Sequence, residues 1–124
     1  MDFQEDKPIY LQISRWICDK ILRGEWPGGG RIPSVRELGA LLEVNPNTVM
    51  RTYERLQGGG IIYNRRGIGY FVSPDAPELI RKQECALFFE EELPRLFGRM
   101  QALGLGEAEL LQAYRDYQSK TPNL

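Results

Sequence analysis

The stretch PSVRELGALLEVNPNTVMRTYERLQGGGIIYNRRGIGYFV, from Pro33 to Val72, decides the fold. Near its start, Ser34 and Glu37 form an S-x-x-E capping box, in which each side chain accepts a hydrogen bond from the other residue's backbone N–H. The pair predicts a helix that begins at Val35. Apolar residues then recur at helical spacing, so we expect this helix to bury one face. That face comprises Val35, Leu38, Leu41 and Leu42.

A second helix is predicted to start two residues after the first one ends. Asn45 can cap it by accepting a hydrogen bond from a free backbone N–H, and Pro46 fits the first helical position, where no N–H is needed. Only Glu43 and Val44 remain for the turn. Two helices joined by so short a turn have the spacing of a helix-turn-helix. Arg36, on the outer side of the first helix, is free to reach a phosphate.

The helix from Pro46 to about Gln57 has an apolar face and a polar face. At 100° per residue, the residues that face inward are Val49, Thr52, Tyr53 and Leu56. The opposite, polar and basic face carries Asn47, Thr48, Arg51 and Arg55. The N-terminal end of such a helix enters the major groove in helix-turn-helix proteins, where Asn and Arg pair with adenine and guanine edges. The context favours DNA contact over a solvated face for Asn47 and Arg51, and capping over base contact for Asn45.

A two-stranded hairpin is predicted to follow as a wing. The glycines at 58–60 end the helix, and strands are expected at 61–63 and 70–72. The tip, at 65–69, carries two arginines, and its two glycines permit a close backbone approach to DNA. Arginine at such a tip commonly enters a minor groove. R-R-G-x-G alone is a weak signal, but it gains weight after this pair of helices.

The residues before the stretch predict one more helix, from Pro8 to Gly24. Its apolar stripe, which we interpret as core, comprises Ile9, Ile13, Trp16, Ile17 and Ile21. The glycine-rich loop from Glu25 to Arg31 is expected to bring residues 31–33 alongside the hairpin.

Charge is distributed unevenly along the 124 residues, although the net charge is only −1. From Arg31 to Val72 there are six arginines and three glutamates, a net +3, whereas the residues from Ala76 onward carry −2. A basic patch on one module matters more for nucleic-acid binding than the total. The patch is modest, so we expect affinity to depend on its duplication in a dimer.

Several classes of function are disfavoured by the composition. The chain has no histidine, the commonest general base and metal ligand. Cys18 and Cys85 are far apart without CxxC spacing, which favours reduced, buried thiols, and the glycine runs lack a phosphate-binding context. We therefore expect no enzyme activity, cofactor or metal. No apolar run approaches the roughly 20 residues of a membrane span, and the N-terminus is unlike a signal peptide, so a cytoplasmic protein is expected.

Pro74 and Pro77 mark a boundary, which predicts a DNA-binding domain at 1–75 and a helical dimerisation domain at 76–124. A heptad pattern runs from Leu79 to Leu103, with seven of its eight seam positions apolar. A further helix is expected from Glu107 to about Gln118. The residues that we predict to dimerise are Leu79, Ala86, Phe89, Leu93, Leu96, Met100, Leu103, Leu110 and Tyr114. The alternative is that both helices fold back on their own domain, and Pro94 is expected to kink the first or remove a hydrogen bond.

Three motifs together resemble the GntR family of bacterial winged-helix transcription regulators, and within it the short YtrA-like subfamily. They are PIYLQI at 8–13, IPSVRELGALLEVNPNTVMRTYERL at 32–56 and GIIYNRRGIGYFV at 60–72. The resemblance implies two dimerising C-terminal helices and DNA contacts at Ser34, Arg36, Asn45, Asn47, Thr48, Arg51, Arg65, Arg66 and Gly67. The chain departs from the family pattern at Gly58 and Gly59, where charged residues are more usual, and at Ile68 in the wing.

These observations predict a mainly α fold with a small β-hairpin wing, followed by a two-helix C-terminal segment. The predicted function is that of a homodimeric repressor that binds an inverted-repeat DNA operator. The resemblance suggests that its targets include its own operon, often one that encodes an ABC transporter. Two alternatives stay open: the DNA-binding head of a MocR-like regulator that has lost its aminotransferase domain, or a helical protein-binding adaptor. About 48 residues of helix cannot enclose the usual ligand pocket of ~300 Å³ or more, so a small-molecule effector is left unassigned.

Overall fold

A computed structural model describes residues 7–120 as a mainly helical chain with one antiparallel hairpin. The elements, in chain order, are α1 (Ile9–Leu22), α2 (Val35–Leu42), α3 (Pro46–Gly58), β1 (Ile62–Arg65), β2 (Gly69–Val72), α4 (Ala76–Leu87), a π-helical turn (Phe88–Glu92), α5 (Leu93–Leu103) and α6 (Glu107–Lys120). The predicted fold class, a winged helix-turn-helix followed by C-terminal helices, is confirmed.

Local capping fixes the two helices of the motif as predicted. Ser34 Oγ accepts a hydrogen bond from the Glu37 N–H at 3.1 Å, and the Glu37 carboxylate accepts one from the Ser34 N–H at 3.0 Å. After α2 ends, Glu43 adopts a left-handed conformation with φ 57°, which reverses the chain within two residues. Asn45 Oδ1 then accepts a hydrogen bond from the Asn47 N–H at 2.8 Å, and α3 begins at Pro46.

The hydrophobic core lies where α1, α2 and α3 meet the hairpin and the start of α4. Its buried apolar residues are Ile13, Ile17, Ile21, Ile32, Leu38, Val49, Tyr53, Leu56, Ile61, Ile62, Val72, Ala76 and Ile80. The predicted inner face of α3 is therefore confirmed. Tyr53 donates its hydroxyl hydrogen to the Pro33 carbonyl at 2.6 Å, so its polar tip is satisfied inside the core.

Two residues that we expected in the core are exposed. Leu41 is 66% exposed, whereas Leu38 points into the core. At 100° per residue, Leu41 and Leu42 lie on opposite sides of Leu38, and Leu41 is on the side that faces solvent. Ile9 is 43% exposed, since it occupies the first turn of α1, before the stripe reaches the other elements. Trp16 is half-buried and packs against the core without entering it.

The segment before α2 pairs with the hairpin, but through residues 29–32 and not through the expected 31–33. Arg31 forms a bridge with Phe71, the Ile32 N–H donates to the Tyr70 carbonyl at 3.0 Å, and the Val72 N–H donates to the Gly30 carbonyl at 2.9 Å. The segment 29–32 therefore borders β2 on the side opposite β1. We call this segment the strap.

The strands extend further toward the tip than the sequence indicated. The register pairs Ile62 with Val72 and Arg65 with Gly69. Arg65 thus lies at the end of β1 instead of in the turn, and the turn itself consists of 66–68. An N–H from Ile68 to the Arg65 carbonyl, at 2.8 Å, closes it.

The described chain separates into two compact units, one ending at Gln83 and the other beginning at Glu84. The division falls inside α4 because Ala76 and Ile80, on its first turns, are buried in the core of the first unit. The predicted division into domains at 75 and 76 stays a prediction.

In the second unit, a π-helical turn at Phe88–Glu92 precedes α5, and Pro94 is the second residue of α5. Proline has no N–H, and its ring crowds the carbonyl four residues earlier, here that of Glu90. A wider turn at this point relieves both problems. The π-turn contains about one extra residue, so a seam spaced at 3.5 residues does not run straight through it.

None of the described residues from Glu84 to Lys120 is buried. Large apolar side chains are instead exposed along these helices: Leu87, Phe88, Phe89, Leu96, Phe97, Leu103, Leu105, Leu111, Tyr114 and Tyr117. Such a density of exposed apolar surface is typical of a protein interface.

Candidate nucleic-acid interface

The N-terminal end of α3 presents the polar face that the sequence indicated. Asn47 and Arg51 are exposed and Thr48 is half-buried. Together with Pro8, Ile9 and Tyr10 from the start of α1, these three line an open surface hollow. The structure therefore brings Asn47, Thr48 and Arg51 into one accessible group. Asn45 adjoins them, but its side-chain oxygen is used in the helix cap.

Arg51 has a neighbour that the sequence did not reveal. Its guanidinium carbon lies 4.1 Å from the centroid of the Tyr10 ring, a distance at which a cation and an aromatic face attract each other. Tyr10 lies 41 positions earlier in the sequence and in another helix, so no periodicity along the chain could indicate the contact.

The start of α2 places Ser34 and Arg36 differently. Arg36 is exposed, whereas the Ser34 hydroxyl is part of the capping box. Hydrogen bonds from the backbone and side chain of Ser34, helped by the positive charge of Arg31, hold the pKa of the Glu37 carboxyl below its ordinary value of 4.5. Glu37 is therefore ionised at neutral pH at the positive end of the α2 dipole.

The wing places one of its arginines over an aromatic ring. The guanidinium of Arg65 lies 5.7 Å from the centroid of the Phe71 ring, and Tyr63 stacks on the same ring at 5.6 Å. Arg66 and Gly67 lie in the exposed turn. Gly67 has φ 79°, a backbone conformation that residues other than glycine rarely adopt. Ile68, a departure from the family pattern, is 49% exposed beside them.

Arg31, on the strap, is a further basic residue beside the wing, and the sequence indicated only its charge. A Cβ atom placed on Gly69 would lie 3.1 Å from Arg31 Nε, and Gly69 has φ 142°. The strap thus lays the Arg31 side chain against Gly69 of β2, where a larger residue would crowd that side chain and strain the backbone.

The arginines of this surface are available to external anions. Among the residues that the structure describes, no carboxylate forms an ion pair with Arg36, Arg51, Arg65 or Arg66. By contrast, Arg23 is paired with Asp19 at 3.0 Å at the C-terminal end of α1, away from this surface. Contact of the predicted residues with DNA stays a prediction, as does dimerisation through the exposed residues of α5 and α6.

Other kinds of site receive no support within residues 7–120. The described residues contain no group of three or more metal-ligating side chains, and none of the described helices could cross a membrane. Neither cysteine is in a disulfide within the described residues. Cys18 is half-buried, but the expected burial of Cys85 is wrong, because the last turns of α4 lie outside the core.

The winged helix-turn-helix is similar in sequence to a known protein family. The model of the bacterial regulatory proteins of the gntR family matches residues 9–72, which span α1 to β2. From Bacillus subtilis, the uncharacterized HTH-type transcriptional regulator YhcF is 38% identical over 93% of both chains. The HTH-type transcriptional repressor YtrA, from the same organism, is 34% identical over 73% of this chain and 70% of its own.

Solved structures share the fold. A putative transcriptional regulator of the GntR family from Bacteroides thetaiotaomicron is 44% identical, with a TM-score of 0.81 over 90% of this chain and 97% of that one. The DNA-binding domain of AraR, solved in complex with an operator, is 27% identical, with a TM-score of 0.53 over 59% of this chain and 86% of that one. The chain therefore belongs to the GntR family of bacterial regulatory proteins and is a DNA-binding transcriptional regulator.

Proposed function

We propose that this regulator is a homodimeric, sequence-specific repressor that binds an inverted-repeat operator. One observation carries the proposal: Asn47, Thr48 and Arg51 lie together at the open N-terminal end of α3, where a helix-turn-helix protein enters the major groove. Support also comes from relatives, since YtrA is named a repressor and AraR was solved with an operator.

Each part of the surface has a distinct role in this proposal. Asn47 and Arg51 read base edges, and Thr48 bonds a phosphate or contacts a thymine methyl group. Arg65, Arg66 and Gly67 enter the neighbouring minor groove, while Ser34 and Arg36 contact the backbone. The chain has no enzyme activity and acts in the cytoplasm.

Duplication of the unit supports specificity. A net charge of +3 from Arg31 to Val72 provides few phosphate contacts, so one copy binds weakly. Two copies joined through the C-terminal helices place two α3 helices in successive major grooves, one helical turn apart. The exposed apolar residues of α5 and α6 support this arrangement.

The direct test is selection of duplexes from a library with a randomised centre, using the full chain. We expect an inverted repeat to be enriched, and Arg51→Ala to relax base preference at one position per half-site, at a cost of about 1–3 kcal/mol. Arg23→Ala, which removes a paired arginine outside this surface, is the control and should select the same repeat.

Two results would contradict the proposal. A uniform loss of affinity across all sequences in Arg51→Ala would remove its role as a base reader. If the protein does not associate with random duplex DNA in a sedimentation experiment, a protein-binding adaptor is favoured instead. Footprinting on the DNA upstream of the protein's own gene tests autoregulation, including any linked ABC transporter genes.

A further inference from the structure

The contact between Tyr10 and Arg51 connects α1 to the surface proposed to read bases. Tyr10 is half-buried, whereas Arg51 is exposed, and the guanidinium carbon lies 4.1 Å from the ring centroid. Both residues line the hollow that also contains Asn47 and Thr48. The aromatic ring is therefore an immediate neighbour of the groups that would meet a base pair.

The hydroxyl of Thr52, on α3, lies within hydrogen-bond distance of the backbone of Tyr10. Thr52 is fully buried, and its hydroxyl lies 3.1 Å from the carbonyl oxygens of both Tyr10 and Thr48. Because Thr52 directly follows Arg51, the helical turn that anchors Tyr10 is the same turn that carries the arginine. The backbones that carry the ring and the guanidinium are thus held next to each other by packed helices and not by a loop.

Stacking on a ring and pairing with a base use different parts of a guanidinium. The stack engages its flat face, whereas its N–H donors point outward in the plane and can form the bidentate pair with guanine O6 and N7. An arginine without such a neighbour loses rotamer freedom when it binds. Tyr10 removes part of that freedom beforehand and so preorganises the N–H donors of the Arg51 guanidinium for base pairing.

We propose that Tyr10 is a positioning residue that determines base preference through Arg51. The proposal rests on the proposed role of Arg51 as a base reader. The Tyr10 ring is required for full discrimination at the base pair that Arg51 reads, and it contributes little to binding of random duplex DNA, which phosphate contacts dominate.

The test is a double-mutant cycle on the full chain, with affinities measured for a library-selected duplex, for its single-base variants and for random-sequence duplex. Tyr10→Leu should lower the preference at the Arg51 position by about two- to five-fold, the range expected for an exposed cation–π contact. Tyr10→Phe, the matched control, keeps the ring and should retain the preference. In an Arg51→Ala background, Tyr10→Leu should cause no further loss.

The outcomes separate this proposal from the function on which it rests. If Arg51→Ala relaxes base preference but Tyr10→Leu does not, the role of Tyr10 is refuted and that of Arg51 stands. If Arg51→Ala leaves base preference unchanged, both roles are refuted. An increase in affinity with Tyr10→Leu would mean that the ring holds Arg51 away from DNA, which also overturns the proposal. If Tyr10→Leu does not fold, Tyr10→Met provides the same comparison.

Discussion

Arg66 lies exposed in the turn of the wing, without a carboxylate partner among the described residues. If its charge neutralises a phosphate or enters a minor groove, binding must release a counterion. We expect Arg66→Ala to reduce the slope of log affinity against log salt by about 1 per protomer, with little change in base preference. The measurement is titration of a selected duplex over a series of salt concentrations.

Arg99→Ala is the control for this prediction, because it removes an exposed arginine from α5 in the other unit. It should leave the salt slope unchanged. An equally unchanged slope in Arg66→Ala would remove Arg66 from the DNA contacts.

Tyr53 is the residue whose ionisation should limit stability at high pH. Burial raises the pKa of its hydroxyl well above the ordinary value of 10.0, and Tyr70 and Glu37 raise it further. A raised folded-state pKa stabilises the fold below pH 10.0, and this stabilisation is lost progressively as the pH rises above it. We expect the wild-type free energy of unfolding to fall on that alkaline side.

Tyr53→Phe separates the hydrogen bond from the ionisation. The variant loses the bond to the Pro33 carbonyl, which costs about 1 kcal/mol at neutral pH. Its stability should then decline less steeply than that of the wild type above pH 10.0. Urea unfolding across the alkaline range measures both effects, and parallel curves for the two proteins would show that Tyr53 does not control the decline.

Among the elements, α2 depends on a capping box whose glutamate titrates. The lowered pKa of Glu37 stabilises the fold above its ordinary value of 4.5, and this stabilisation is lost as the pH falls through the lower, folded-state pKa. Glu37→Gln can still accept the Ser34 N–H but cannot be protonated. We therefore expect a smaller loss of stability on acidification than in the wild type, measured by urea unfolding from neutral pH to below 4.5.

Glu54→Gln is the charge-matched control, since Glu54 is an exposed carboxylate on α3. If Glu37→Gln and the wild type lose stability equally on acidification, the capping carboxylate does not contribute to the acid sensitivity.

The elements also show which parts of the structure could be read from the sequence. The caps at Ser34 and Asn45 were predictable because each involves residues two or three positions apart. The strap was predictable in outline from its glycines. Pro94 indicated that the helix is disturbed here, but not the form that the disturbance takes, because residue spacing does not reveal that a π-helical turn accommodates the proline ring.

The same distinction applies to the candidate interface. The exposure of Asn47 and Arg51 followed from helical periodicity. The stack of Arg51 on Tyr10 did not, since it depends on how α1 packs on α3. Helical periodicity also placed Leu41 in the core, because it does not show how much of the apolar face of α2 the neighbouring helices cover.

For the whole molecule, the main prediction is that two chains associate through the exposed apolar residues of the C-terminal helices. Leu96 on α5 is 41% exposed, and glutamate at this position would have to be desolvated in an apolar interface. We expect wild type to sediment as a dimer and Leu96→Glu to shift toward monomer. Loss of bivalent binding should weaken operator affinity by 10²-fold or more.

Gln101→Glu introduces the same charge at an exposed polar position of α5 and should remain dimeric. Circular dichroism should show equal helix content in all three proteins. A wild-type monomer, or a Leu96→Glu variant that dimerises normally, would rule out this face of α5 as the interface.

The geometry of the wing has a consequence for how copies of this chain avoid unwanted association. The strap covers one side of β2, so the outer side of β1 is the edge of the sheet among the described residues. Exposed strand edges can template the addition of further strands and lead to aggregates. This edge is only four residues long and ends at a charged, exposed Arg65. Arg65 should therefore also act as a gatekeeper that keeps copies of the chain from polymerising edge to edge.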